Sequence, residues 1–371
     1  MKLMVKGAGL VALLMAVLVI RAPAIALAAK PTVNAAEAAG SVIVFPKFLK
    51  GTVVADGVTS ARTEIEIDAR CPNGATCAEA EPVTISFHWI CPGSEDAGAK
   101  YVCKESDFNI AIPINGKAVF NPEDPKLAEK NPGSIAPCQN GYLIGWVISP
   151  ATGRPIKFDA LTGSAVLRDG GGAIQSYQAF TIEADLNLAA RAEIATDIDA
   201  RTGVPALVFD GGPGHYQAVA GAVPANLEFH KLAGPLASRE AFLILLTLDV
   251  RVNRPNYPTF VDFGYSSEQG DWAKTGRNFT CWGELQHPNI DANFTLAGAR
   301  TGDRVVLSGE AIKVPFGGIS DVPGPVTLLG LVPGEEGGRL TMDRAYVVQK
   351  PDSSKPTTVF VPFSAMGFAV R

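Results

Sequence analysis

Six cysteines, four histidines and four tryptophans are the side chains of this chain with the most chemistry to offer, and their spacing limits what that chemistry can be. No Cys-x-x-Cys occurs, so neither a thioredoxin-like redox site nor a zinc ribbon is supported, and Cys-x-x-Cys-His, the haem-attachment pattern, is absent as well. The histidines, His88, His215, His230 and His287, form neither His-x-His nor His-Glu-x-x-His, which leaves a zinc hydrolase without a ligand set in sequence. Asp197-Ile198-Asp199 and Glu335-Glu336 concentrate carboxylates but lack the Asp-x-Asp-x-Asp-Gly spacing of a calcium loop. No cofactor, metal or catalytic residue is assigned on these grounds.

Two further patterns suggest chemistry. Gly211-Gly212-Pro213-Gly214-His215 has the look of a glycine-rich oxyanion segment, but the Gly-x-Ser-x-Gly elbow that must accompany one is missing, so a tight turn is expected. Trp89 and Trp146 lie in apolar runs and are assigned to the core. Trp272 falls in a polar stretch and Trp282 alternates out of phase with Cys281, which makes these two the candidate platform for stacking a sugar. The remaining enzyme reading is an extracellular hydrolase whose carboxylates meet only in three dimensions.

The cysteines are most simply three disulfides. If strands 63–70 and 83–91 form a hairpin, Cys71 and Cys77 share its loop, and Cys91 lies too far along its strand to reach Cys71. Cys91 and Cys103 bracket a polar loop, which leaves Cys138 and Cys281 to join the two halves of the chain. The expected pairs are therefore Cys71–Cys77, Cys91–Cys103 and Cys138–Cys281.

The elements that must hold these residues are strands. Val83, Ile85, Phe87, Trp89 and Cys91 alternate with Thr84, Ser86 and His88, the period of a half-buried strand, and put His88 on the face opposite Cys91. Ile65 and Ile67 alternate with Glu64, Glu66 and Asp68, whose acids suit a solvated face. Ser41 to Pro46 is a strand with Pro46 at its edge or end. Tyr142 to Ile148 is apolar at almost every position, as a strand covered on both faces requires, and Phe242 to Val252 is the longest alternating run. Asn115-Gly116 between two apolar runs predicts a hairpin. A helical turn is expected at Lys126 to Glu129, and Leu186, Ala190, Ile194 and Ile198 recur with a helical period. Many short strands with almost no helix predict an all-β fold of two antiparallel β-sandwich-like domains.

The N-terminus reads as an export signal. Lys2 and Lys6 precede an apolar run from Gly7 to Ile20, and Ala26-Leu27-Ala28 gives a small-x-small cleavage pattern after Ala28. Arg21 and Pro23 break the run before the roughly 20 residues that a membrane helix needs. No transmembrane segment is expected after cleavage, and short strands with 27 prolines disfavour a membrane barrel. Losing Lys2, Lys6 and Arg21 takes the net charge from −5 to −8, a poor balance for nucleic acid or an anionic membrane surface. The expected organisation is a signal peptide at 1–28, a flexible lead-in at 29–40, a first sandwich at 41–184, a helical connector at 185–203 and a second sandwich at 204–371.

From Gly141-Tyr142-Leu143-Ile144 through Pro155-Ile156-Lys157-Phe158-Asp159-Ala160-Leu161-Thr162-Gly163 to Tyr177-Gln178-Ala179-Phe180, with the Ala-rich Leu188 to Ala195 after it, about a third of the chain resembles a loose group of exported bacterial β-rich proteins with no assigned activity. Many members carry a Cys where this chain has Arg154, so their disulfide pattern need not transfer. The resemblance implies compartment and fold style and no reaction. The resulting expectation is a secreted or periplasmic, non-enzymatic protein with a structural or binding role toward an unknown protein or glycan. The alternatives are a carbohydrate-binding module and the extracellular hydrolase.

Overall fold

A computed structural model describes residues 39–51, 62–72, 77, 81–94, 102–168, 174–198, 205–209, 211–217, 225–228, 242–248, 259–267, 270–286, 304–313, 326–330, 339–341, 344–348 and 358–359. Beyond residue 217, side chains are described only at 244, 246, 248 and 280–284. In chain order the strands are β1 (Val42–Leu49), β2 (Arg62–Ala69), β3 (Pro82–Ser94), β4 (Val102–Pro113), β5 (Gly116–Phe120), β6 (Asn140–Ile148), β7 (Leu161–Arg168), β8 (Ile174–Gln178), β9 (Phe180–Ile182), β10 (Thr196–Ile198) and β11 (Pro205–Val208). They continue with β12 (Ala225–Glu228), β13 (Phe242–Thr247), β14 (Thr259–Ser267), β15 (Gly270–Phe279), β16 (Trp282–Gln286), β17 (Arg304–Lys313), β18 (Val326–Gly330), β19 (Arg339–Thr341), β20 (Arg344–Val348) and β21 (Thr358–Val359). The fold is all-β, and among the described residues every strand pair is antiparallel except β8 with β19.

One sheet, in the order β4-β3-β6-β1-β9, is buried on both faces. Strand periodicity sorts its side chains into two cores. Ile43, Phe45, Ile85, Phe87, Trp89, Leu143 and Val147 point toward the sheet β19-β8-β7-β2-β5 and meet Ile65, Ile67, Ala165 and Leu167. Val42, Val44, Ile90, Tyr142, Ile144 and Trp146 point the other way and meet Ile194, Leu207, Phe209, Ile244, Leu246, Leu248 and Trp282. The second core therefore draws on residues from both sides of the segment read as a connector, and residues 31–371 group as one compact unit. Double coverage is why Tyr142 to Ile148 carries no polar face.

Several expectations change. The segment 185–198 holds no helix: Lys157 N donates to Ala192 O, Arg191 N to Lys157 O and Ile194 N to Pro155 O, so its backbone bonds across to 155–157 instead of four residues back. Leu186 and Ile198 are exposed while Ile194 is buried, so the four-residue spacing marks no common face. Asn115 has the expected positive φ of 60°, but β4 and β5 belong to different sheets, and the turn carries the chain between layers instead of closing a hairpin. The same holds for β2 and β3. Pro46 does not end its strand. It sits in the β1 register shift between Phe45 and Phe48, where the missing N–H costs no ladder bond. The expected turn at 126–129 is a short helix, α1 (Pro125–Lys130), capped by Asp124 accepting from Lys126 N and Leu127 N.

The disulfides are Cys71–Cys77, as expected, then Cys91–Cys138 and Cys103–Cys281, with Cα separations of 5.9, 5.9 and 6.4 Å. The expected Cys91–Cys103 and Cys138–Cys281 pairs are corrected. The reason is a bulge in β3 between Ile90 and Gly93, which places Cys103 opposite Gly93. Cys103 joins the core shared with Cys281, whereas Cys138 borders the other core. A tie between the halves exists, but it leaves from β4.

Candidate functional site

A polar constellation lies on the face of β3 that sequence alternation assigned to solvent. Ser86 and His88 stand two residues apart on that face, and β4 supplies Glu105 and Asp107, with Asp107 the register partner of His88. His88 Nδ1 lies 2.5 Å from Glu105 Oε1, and its Nε2 lies 3.4 Å from Ser86 Oγ. On the other side, the His88 ring stacks on Trp146 of β6, with centroids 4.5 Å apart and planes 9° from parallel. The side chains of His88 and Glu105 are 0% and 4% exposed. Burial raises the Asp107 carboxyl above its ordinary range, Glu105 adds to the rise, and His88 opposes it.

Serine to imidazole to carboxylate is the connectivity of a nucleophile, its base and the group that orients the base. Two features set the chemistry this arrangement can do as it stands. The 3.4 Å separation exceeds the usual 2.6–3.2 Å reach for proton transfer. Ser86 is also 1% exposed, so its hydroxyl meets neighbouring side chains and not solvent. What the geometry does accomplish is to satisfy a buried imidazole on both nitrogens and fix its ring against an indole. Sequence reasoning placed His88 correctly on the polar face but did not anticipate that this face is covered, because the covering layer draws on distant parts of the chain, the strand carrying Trp282 among them.

A second polar cluster ties those late residues to β1. Lys47 Nζ donates to Glu284 Oε2 at 2.9 Å, and Trp282 Nε1 donates to Pro46 O at 2.8 Å. The Tyr177 hydroxyl donates to Lys47 O, and burial pushes its phenol well above the ordinary range. Desolvation lowers the Lys47 ammonium, while Glu284 holds it up. Trp282 is therefore a core residue at 5% exposure, and its place in the sugar-stacking pair is corrected: its indole N–H has a backbone partner inside. Trp272 lies in β15, and its side chain is outside the described residues.

A third cluster braces the turn at Asp159, a non-glycine residue at φ 44°. Ser41 Oγ donates to Asp159 Oδ1 at 2.6 Å and accepts from Phe158 N and Asp159 N, and Ala184 N donates to the same carboxylate oxygen. The glycine-rich segment is a turn as expected, with Gly211 and Gly214 at φ 70° and 80° and Gly214 N donating to Asp185 Oδ2. Among the described residues, no three His, Cys, Asp or Glu side chains converge as a metal site would require. Of the acidic pairs, Asp197 is in β10, while Asp199, Glu335 and Glu336 lie outside the described residues. No protein-family model matches the chain, and a search of curated proteins finds no match.

Proposed function

We propose that the protein is exported and serves a structural or binding role, without catalysis, at the cell envelope or outside the cell. The observation that carries this reading is the covalent framework: all six cysteines are paired, and one bridge spans 178 residues. Such bonds persist in oxidising compartments, and an N-terminus with a basic start, an apolar run and Ala26-Leu27-Ala28 supplies the route there. No helix among the described residues is long and apolar enough to cross a membrane. The enclosed setting of Ser86, His88 and Glu105 supports a stabilising use of the one relay-like arrangement described above.

Fractionation and intact mass test the reading. Expressed from residue 1 in a bacterium, the chain is expected outside the cytoplasm, beginning at Ala29 and six hydrogens lighter than its reduced form. Retention in the cytoplasm with free thiols, or a membrane-bound chain still carrying residues 1–28, overturns it.

A further inference from the structure

Ties of several kinds join the sheet β16-β13-β18-β20 to the first half of the chain from one short segment, residues 280–284 at the start of β16. Thr280 O accepts from Gly93 N at 3.0 Å, Cys281 is bridged to Cys103, Trp282 Nε1 donates to Pro46 O, and Glu284 Oε2 accepts from Lys47 Nζ. At Cys281 the backbone is held at φ 64°, and Trp282 N donates back to Thr280 O at 2.7 Å. This is the rare, strained form of the three-residue turn, which a non-glycine residue keeps only where its surroundings enforce it. The approach of β3 is close as well, since a Cβ on Gly93 would lie 2.5 Å from the Thr280 side chain. Elsewhere among the described residues, strand pairing between early and late chain is brief: Leu207 and Val208 with β21, and Ile174 to Ser176 with β19.

We propose that residues 280–284 form a latch set by oxidation. While Cys103 and Cys281 are thiols, the sheet β16-β13-β18-β20 stands off the first half, and the face carrying Ser86 and His88 is open to water. Forming the bridge closes it. The step is a thiol–disulfide exchange in which the two thiols give two protons and two electrons to a disulfide oxidant, which leaves as two thiols. Burial of Ile244, Leu246, Leu248 and Trp282 favours docking. Against it stand the strained turn at Cys281, the withdrawal of Lys47 from water, and the entropy of closing a loop between residues 178 positions apart. The bridge enforces the turn and removes the loop-closure cost. Where the oxidant is met rests on the export proposed above; the latch itself does not.

Hydrogen exchange read by mass spectrometry, on the purified full chain and its Cys103→Ser/Cys281→Ser variant, tests the latch. In the variant, the amides of β13 and β16 should exchange at least tenfold faster than in the oxidised chain, while those of β2 and β7 change less than threefold. Diethyl pyrocarbonate, which acylates accessible imidazoles, should label His88 in the variant and spare it in the oxidised chain. Cys103→Ser/Cys281→Gly, whose glycine takes a positive φ without strain, should slow exchange in β16 at least threefold relative to the serine variant. Unchanged protection of β13 and β16 in the serine variant, an equal loss in β2 and β7, an unlabelled His88, or a glycine variant no better protected than the serine one overturns the proposal. The fractionation experiment addresses export separately, so a chain that stays inside the cell leaves these exchange results standing.

Discussion

At the scale of single residues, Asp107 carries a pH signature. Its folded carboxyl is raised, first by burial and then by Glu105, above an unfolded value of about 3.9. The fold therefore favours the protonated form. The stability this group contributes is complete below the unfolded value and is lost as pH rises through the raised folded value. Asp107→Asn keeps a neutral side chain at every pH, so it should unfold at higher urea than the wild type near neutrality. The advantage should vanish in acid. An Asn variant less stable at neutral pH, with an unchanged pH profile, would count against this account of the cluster. Neighbouring side chains matter equally for Lys47, whose ammonium is kept inside by Glu284, a residue 237 positions away.

At the scale of elements, the doubly covered sheet works because its central strand β6 alternates between two cores while leaving room for Phe87. A Cβ built on Gly145 would lie 2.4 Å from two atoms of the Phe87 ring, and Phe87 is itself packed against Phe108 and Phe120. Gly145→Ala is accordingly expected to cost about 1–3 kcal/mol through overpacking, measured as a lower urea midpoint with loss of near-ultraviolet aromatic dichroism. Gly153→Ala is a useful contrast, since nothing stands within 4 Å of its Cβ and only its φ of 69° opposes the change.

At the scale of the whole molecule, the three disulfides are unequal. Cys103 and Cys281 are buried and close the longest loop, whereas Cys71 and Cys77 are partly exposed and only six positions apart. Loop-closure entropy grows with the logarithm of loop length, so Cys103→Ser/Cys281→Ser should cost about 3–5 kcal/mol and Cys71→Ser/Cys77→Ser about 2. Under graded reductant, alkylation and mass mapping should find Cys71 and Cys77 labelled first. Simultaneous labelling of all six cysteines would show that opening is global and not ordered by exposure.

The sequence alone determined what depends on local period and local backbone preference. Alternation identified β2, β3 and the core side of each, the unbroken apolar run of β6 announced coverage on both faces, and Asn115 took the left-handed turn its neighbours imply. Cys71 and Cys77 paired because six residues leave little choice. Everything that required knowing which strand lies beside which was left to the tertiary structure. Strands β2 and β3 went to different sheets, one bulge at Ile90–Gly93 redirected Cys91 and Cys103 to separate partners, and the layer carrying Trp282 closed over the polar face of β3. That last event turned His88 from a surface residue into a buried one and Trp282 from an exposed platform into a core anchor. The physical reason is that strand period fixes the face a residue lies on but not the neighbour it meets.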